Sequence, residues 1–129
     1  MYLIMDFIPN HTSDQHIWFS KAKTGDSKYI NYYVWHPGKI NPETKEKEPP
    51  NNWQSCFGGR AWTFCKERNQ FYLHQFLPEQ PDLNFRNSDV RQEILDIFKF
   101  WLDLGIDGFR IDSVSHLVEK ADFSNVRCI

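Results

Sequence analysis

From Asn87 to Gly105 the apolar residues Val90, Ile94, Ile97, Phe98, Trp101 and Leu104 recur at helical spacing, and the apolar run "IDGFRID" follows at once. That period marks one buried face of a helix. Asn87 can cap its start, Asp89 suits the positive end of the macrodipole, and Gly105 is a natural stop. Upstream, "YLIMDFI" at residues 2–8 is interrupted by Asp6 and stopped by Pro9. So short and continuous a run predicts a fully buried strand of a parallel sheet. Two parallel strands joined through a helix make a βαβ unit, so the fold class is α/β. The connection carries a large excursion before its helix. In α/β folds the loops that follow strands hold the sites, so the excursion is expected over an active-site mouth.

Within the excursion, "DQHIWFSKAKTG" predicts a short helix ending near Gly25. The runs "YYVW", "WTFC" and "QFYLHQF" predict short strands, divided by loops rich in Pro, Gly and Asn. The lysines and glutamates of "NPETKEKEPP" alternate in sign, as a solvated loop does.

A formal net charge of −2 with no block of like charge points away from nucleic acid and anionic membranes. At 40% apolar and 25% charged residues the chain is of the globular kind. Cys56, Cys65 and Cys128 show neither C-x-x-C nor zinc spacing. Cys56 and Cys65 could pair in an oxidising compartment or stay free. No stretch is long enough to span a bilayer, and "MYLIMDFIP" lacks the basic region and cleavage site of a signal peptide. A chain that opens directly on a core strand is expected to be a partial sequence.

On the strand "GFRID", Arg110 and Asp112 share one face while Phe109 and Ile111 share the other. Charges on an apolar strand are expected to be paired. A neighbouring guanidinium favours the ionised form of a carboxylate. Position and pairing thus predict a deprotonated carboxylate in a shielded place, as a structural ion pair or as an attacking group.

Three motifs narrow that choice. "DFIPNH" after the first strand, "QPDLN" at the end of the excursion and "GFRID" on the second strand resemble glycoside hydrolase family 13. The intervening "YYVWHPGK", "PPNNW" and "FYLHQFLPEQPDLNFRN" resemble its α-glucosidase and maltase branch. The resemblance implies part of a (β/α)8 TIM barrel. Residues 1–14 would be its third strand and following loop, 15–84 a β-rich B-domain-like insertion, and 85–129 its third helix, fourth strand and a tail. It implies that Asp112 is the nucleophile of a retaining hydrolase, with Arg110 as its hydrogen-bonding partner. His11, Phe76, Gln80 and His116 match substrate-lining positions, and Asp6 matches a residue that braces the site. Ser113 is small where relatives with a bulky Val favour α-1,6 linkages. The implied substrates are therefore α-1,4-linked glucosides such as maltose and maltooligosaccharides.

Asn10 and Asp82 stand where amylases of the family hold calcium. Such a pair falls far short of a calcium cage, and the glucosidase branch often lacks the ion, so no metal or other cofactor is expected. Trp101 is expected in the core, and Trp18, Trp35, Trp53 and Trp62 in packing. The sequon Asn10-His11-Thr12 is expected to be unused.

The acid/base glutamate of the family follows a later strand, and Glu79, Glu93 and Glu119 lack its context. The chain alone is therefore expected to be inactive. The same barrel is resembled by the heavy subunits of heteromeric amino-acid transporters, which serve a membrane partner and are the rival reading. The family's usual address is secreted or membrane-anchored, with any anchor outside this chain.

Overall fold

The computed structural model describes residues 1–125, so Cys128 lies outside the described residues. It is a mixed α/β structure with the expected βαβ frame. Strand β1 (Ile4–Phe7) pairs in parallel with β7 (Gly108–Ile111), with Asp6 opposite Arg110. Between them runs helix α2 (Ser88–Asp103), whose Asn87 cap accepts from Asp89 N at 2.9 Å. Asn87 is a good cap because its short side chain can reach a backbone donor that the first turn leaves free. The helix meets the strands through an aromatic triangle. Phe98 lies 4.8 Å from Phe7 and 4.6 Å from Phe109, both edge-on.

Two expectations of burial fail here. Strand β1 alternates between exposed and half-buried residues, and Ile4 retains 57% of its exposure. Among the described residues the sheet has two strands, so α2 covers one face while no described strand pairs with either outer edge. On α2, Val90 and Ile94 are buried, but Ile97, Phe98 and Trp101 are half-buried and Leu104 is exposed. Leu104 occupies the C-cap, beyond the reach of the short strands.

The excursion holds helix α1 (Ile17–Lys23), capped at Thr24 and followed by Gly25 at φ 81°, as the sequence predicts. It also holds an antiparallel sheet of β2 (Trp35–His36), β6 (Gln70–Leu73) and β5 (Trp62–Cys65), in that order. A small hairpin pairs β3 (Lys39–Ile40) with β4 (Lys47–Glu48). The "YYVW" strand shrinks to two residues, because Tyr33 bridges Leu83 instead.

One core joins the excursion to the frame: Phe19 and Ala22 of α1, Tyr32, Tyr33, Tyr72 and Leu83, and Val90 and Ile94 of α2. Burial of aromatic and aliphatic side chains of this size stabilises by roughly 1.5–3 kcal/mol each. The second cluster contains Val34, Ala61, Trp62, Phe71 and Leu73. The tail returns to it, with Phe123 5.8 Å from Trp62 and Trp53 Nε1 donating to Ser124 O at 3.0 Å. Trp62 is buried, while Trp18, Trp35 and Trp53 each pack against another ring. Cys56 and Cys65 are both free thiols.

Candidate active site

The carboxyl ends of β1 and β7 meet the last turn of the excursion, and the candidate residues gather there. Asp112 continues the ladder past β7, its backbone N donating to Phe7 O at 2.9 Å. Ser113 then adopts the left-handed region at φ 56°, which ends the strand and turns the chain into the 3-10 turn Val114–His116. Ser113 Oγ donates to Asp112 Oδ2 at 3.3 Å.

Arg110 Nη2 lies 3.1 Å from Asp112 Oδ1, and its Nη1 lies 3.8 Å from Asp6 Oδ1. The in-register pairing of Asp6 with Arg110 puts both acids on the arginine's face. The site is not shielded as expected, because the Arg110 and Asp112 side chains are 61% and 39% exposed. The open face of the two-stranded sheet is the reason. In such a setting an ion pair is worth roughly 0–1 kcal/mol, so it orients Asp112 more than it stabilises the fold.

His11 comes from the loop after β1 and is held by a backbone bridge to Asp82. Its Nδ1 lies 3.3 Å from Asn10 Nδ2, and that nitrogen also donates to Asp82 Oδ1 at 3.0 Å. In its ionised form Asp82 fixes the Asn10 amide with its nitrogen inward. His11 Nδ1 therefore accepts, leaving Nε2–H as a donor. Burial lowers the His11 pKa, and the charge of Asp112 opposes that shift. The histidine is thus kept towards its neutral form beside the carboxylate.

Phe76 joins the two ends of the site. Its ring lies 5.4 Å from His11 and 5.1 Å from His116. Gln80 serves its own turn, its Oε1 accepting from Leu77 N at 3.1 Å. Asp82 is buried and pushed up to about 7 by that burial, against the pull of bonds from Gln75 and Asn10. Asn10 and Asp82 satisfy one another, and Asn10 presents a nitrogen there rather than an oxygen. Asn10 is also 1% exposed with its amide nitrogen engaged, which closes the sequon to a glycan in the folded chain.

Gln75 is the residue that sequence reading missed. Its Nε2 donates at 2.7 Å to Asp82 Oδ2 and at 2.7 Å to His116 O, so one amide ties the excursion to the turn after β7. Its neighbour Phe76 was legible, but nothing local marks a glutamine as a bridge.

A description of the alpha-amylase catalytic domain matches residues 1–128. The chain belongs to that family, glycoside hydrolase family 13. The match runs through the tail, which shows no resemblance by motif. Maltase A2 of Drosophila melanogaster is 52% identical over 117 residues, covering 91% of this chain and 21% of that protein. The human amino acid transporter heavy chain SLC3A1 is 55% identical over 117 residues, 91% of this chain and 17% of that protein. The crystal structure of Bacillus licheniformis trehalose-6-phosphate hydrolase superposes with a TM-score of 0.89 at 38% identity, covering 98% of this chain and 22% of that one. The chain thus spans about a fifth of the length of the curated relatives it matches.

Proposed function

We propose that this chain is part of a retaining α-glucosidase, a maltase-like hydrolase of α-1,4-linked glucosides such as maltose and maltooligosaccharides. The observation that carries this reading is Asp112 at a strand end, held by Arg110 at 3.1 Å, with its charge felt by His11, whose ring packs against Phe76. Residues 1–14 act as the third barrel strand and its loop, 15–84 as the protruding insertion, and 85–129 as the third helix, fourth strand and tail.

Arg110 binds Oδ1 of Asp112, which leaves Oδ2, with the longer 3.3 Å bond from Ser113 Oγ, as the attacking atom. It adds to the anomeric carbon as the glycosidic bond breaks, giving a covalent β-glucosyl ester that water then cleaves. His11 Nε2–H donates to a sugar hydroxyl, while Phe76 and His116 flank the ring and the turn of Gln80 borders it. Asp6 braces Arg110. The proton for the departing oxygen needs a second carboxyl group about 5 Å from Asp112. Glu79, Glu93 and Glu119 lack the context of a general acid, and Glu93 bonds to Tyr32 and Lys28 while Glu119 pairs with Arg86. The 129-residue chain alone is inactive, and no metal or other cofactor takes part. The protein that contains it is secreted or membrane-anchored.

Trapping with a slow-turnover fluoroglucosyl fluoride, applied to the protein at its native length, tests this. A glucosylated peptide carrying Asp112 is the expected product. A second reading, a non-catalytic heavy-subunit-like partner of an amino-acid transporter, is favoured by the similarity to the human transporter heavy chain. It predicts no glucosyl adduct and co-purification with a multi-span membrane protein.

A further inference from the structure

Cys56 and His116 are far apart in the chain, yet Cys56 Sγ lies 3.6 Å from His116 Nε2. The thiol belongs to the excursion, where Cys56 N donates to Gln75 O at 2.8 Å, and the imidazole to the turn after β7. Across the ring, His116 Nδ1 lies 3.2 Å from Ser115 Oγ. When Nδ1–H donates to that hydroxyl, Nε2 is left as the acceptor facing the thiol. A nucleophile, a base and a group that orients the base therefore stand in sequence. Cys56 is exposed, so a reagent can reach it. The next ring, Phe57, lies 6.1 Å from Phe76, which places the thiol at the rim of the candidate site.

The second described cysteine is an internal contrast. Cys65 is buried, its thiol bonded to Glu67 Oε2 at 3.2 Å and pushed up by burial. It is the inert kind of thiol.

We propose that Cys56 is a site of reversible thiol modification by low-molecular-weight disulfides, with His116 as its proton acceptor. The Sγ–H proton passes to His116 Nε2 and the thiolate attacks one sulfur of the disulfide. A new Sγ–S bond forms as the old S–S bond breaks. The departing thiolate takes the proton from His116. Cys56 is thereby oxidised to a mixed disulfide and one half of the reagent is reduced to its thiol. The adduct stands against His116 and Phe57 and narrows the approach to Phe76. The modification does not rest on the glucosidase reading; only its effect on sugar entry does.

The test uses the full chain carrying Cys128→Ser, incubated with oxidised glutathione under native conditions and followed by intact mass and peptide mapping. Cys56 is expected to be modified at least roughly tenfold faster than Cys65. His116→Gln should slow Cys56 about fivefold and Ser115→Ala about twofold. Continued protection of Cys65 reports in each sample that the fold is intact. Equal rates at Cys56 and Cys65 in the chain with both His116 and Ser115 in place would overturn the proposal. So would an unchanged Cys56 rate in His116→Gln with Cys65 still protected. If that variant loses protection at Cys65, Ser115→Ala decides, and an unchanged Cys56 rate there overturns the proposal.

Discussion

Gln75 Nε2 stands 2.7 Å from Asp82 Oδ2 and spans from there to the carbonyl of His116. Asp82 also receives Gln75 N at 3.2 Å and Asn10 Nδ2 at 3.0 Å. A buried carboxyl group is tolerated here because donors converge on it from two parts of the chain. Gln75→Ala removes one of those donors and also frees the turn that carries His116. The expected loss is about 2–3 kcal/mol of unfolding free energy, read from urea denaturation. A loss below about 0.5 kcal/mol would show that water replaces the amide without cost.

Asp82 gives the fold a pH dependence of definite sign. Its folded pKa, about 7, lies above the ordinary 3.8, so the folded state holds its proton more tightly than the unfolded one. The contribution is therefore fully present below the unfolded value and is lost as pH rises towards the folded one. Burial lowers the pKa of His11, His16, His36 and His74, which gives the opposite slope below their ordinary value. The clean measurement is thus the difference between the parent chain and Asp82→Asn. That difference should shift against the parent by up to about 4 kcal/mol between roughly pH 4 and pH 7. A flat difference across that window would refute the assignment.

The frame of this fold is legible in the sequence because period is local. The residues that mark α2, its Asn87 cap and its Gly105 stop can be read without knowing what lies around them. Burial is not local, which is why Ile4, Leu104 and Arg110 defeat the reading. Periodicity shows which side chains share a face, but not whether anything covers it. The candidate site divides in the same way. Asp112 and His11 are carried by compact motifs beside a strand. Gln75 and the Cys56–His116 contact arise from long-range folding, with no signature in their neighbours.

Arg110 and Asp112 separate stability from chemistry. Both side chains are substantially exposed, so solvent screens the pair and its contribution to folding is small. Arg110→Met and Asp112→Asn should each change unfolding free energy by no more than about 1 kcal/mol. On the proposed glucosidase reading, Asp112→Asn in the protein at its native length should lower kcat for maltose hydrolysis by at least roughly a thousandfold, because that reading has Asp112 form the glucosyl ester. A variant that unfolds instead would make the pair structural. One that keeps full activity would remove Asp112 from the mechanism.

Ser113 combines a backbone demand with a substrate consequence. At φ 56° and ψ 32° it sits where a side chain meets its own backbone, and this residue re-aims the chain directly after Asp112. Ser113→Gly removes the steric cost and should stabilise by about 0.5–1 kcal/mol, although it also removes the 3.3 Å bond to Asp112 Oδ2. Ser113→Val should destabilise by roughly 1–2 kcal/mol, since a β-branched residue tolerates the left-handed region poorly. On the proposed glucosidase reading, the bulkier side chain should also move preference from α-1,4 towards α-1,6 linkages in the native-length protein. The ratio of kcat/KM for maltose to that for isomaltose reads this directly. If Val lowers both values in equal proportion, Ser113 acts through the backbone and the position of Asp112. If the ratio falls, its small side chain is what admits the α-1,4 linkage.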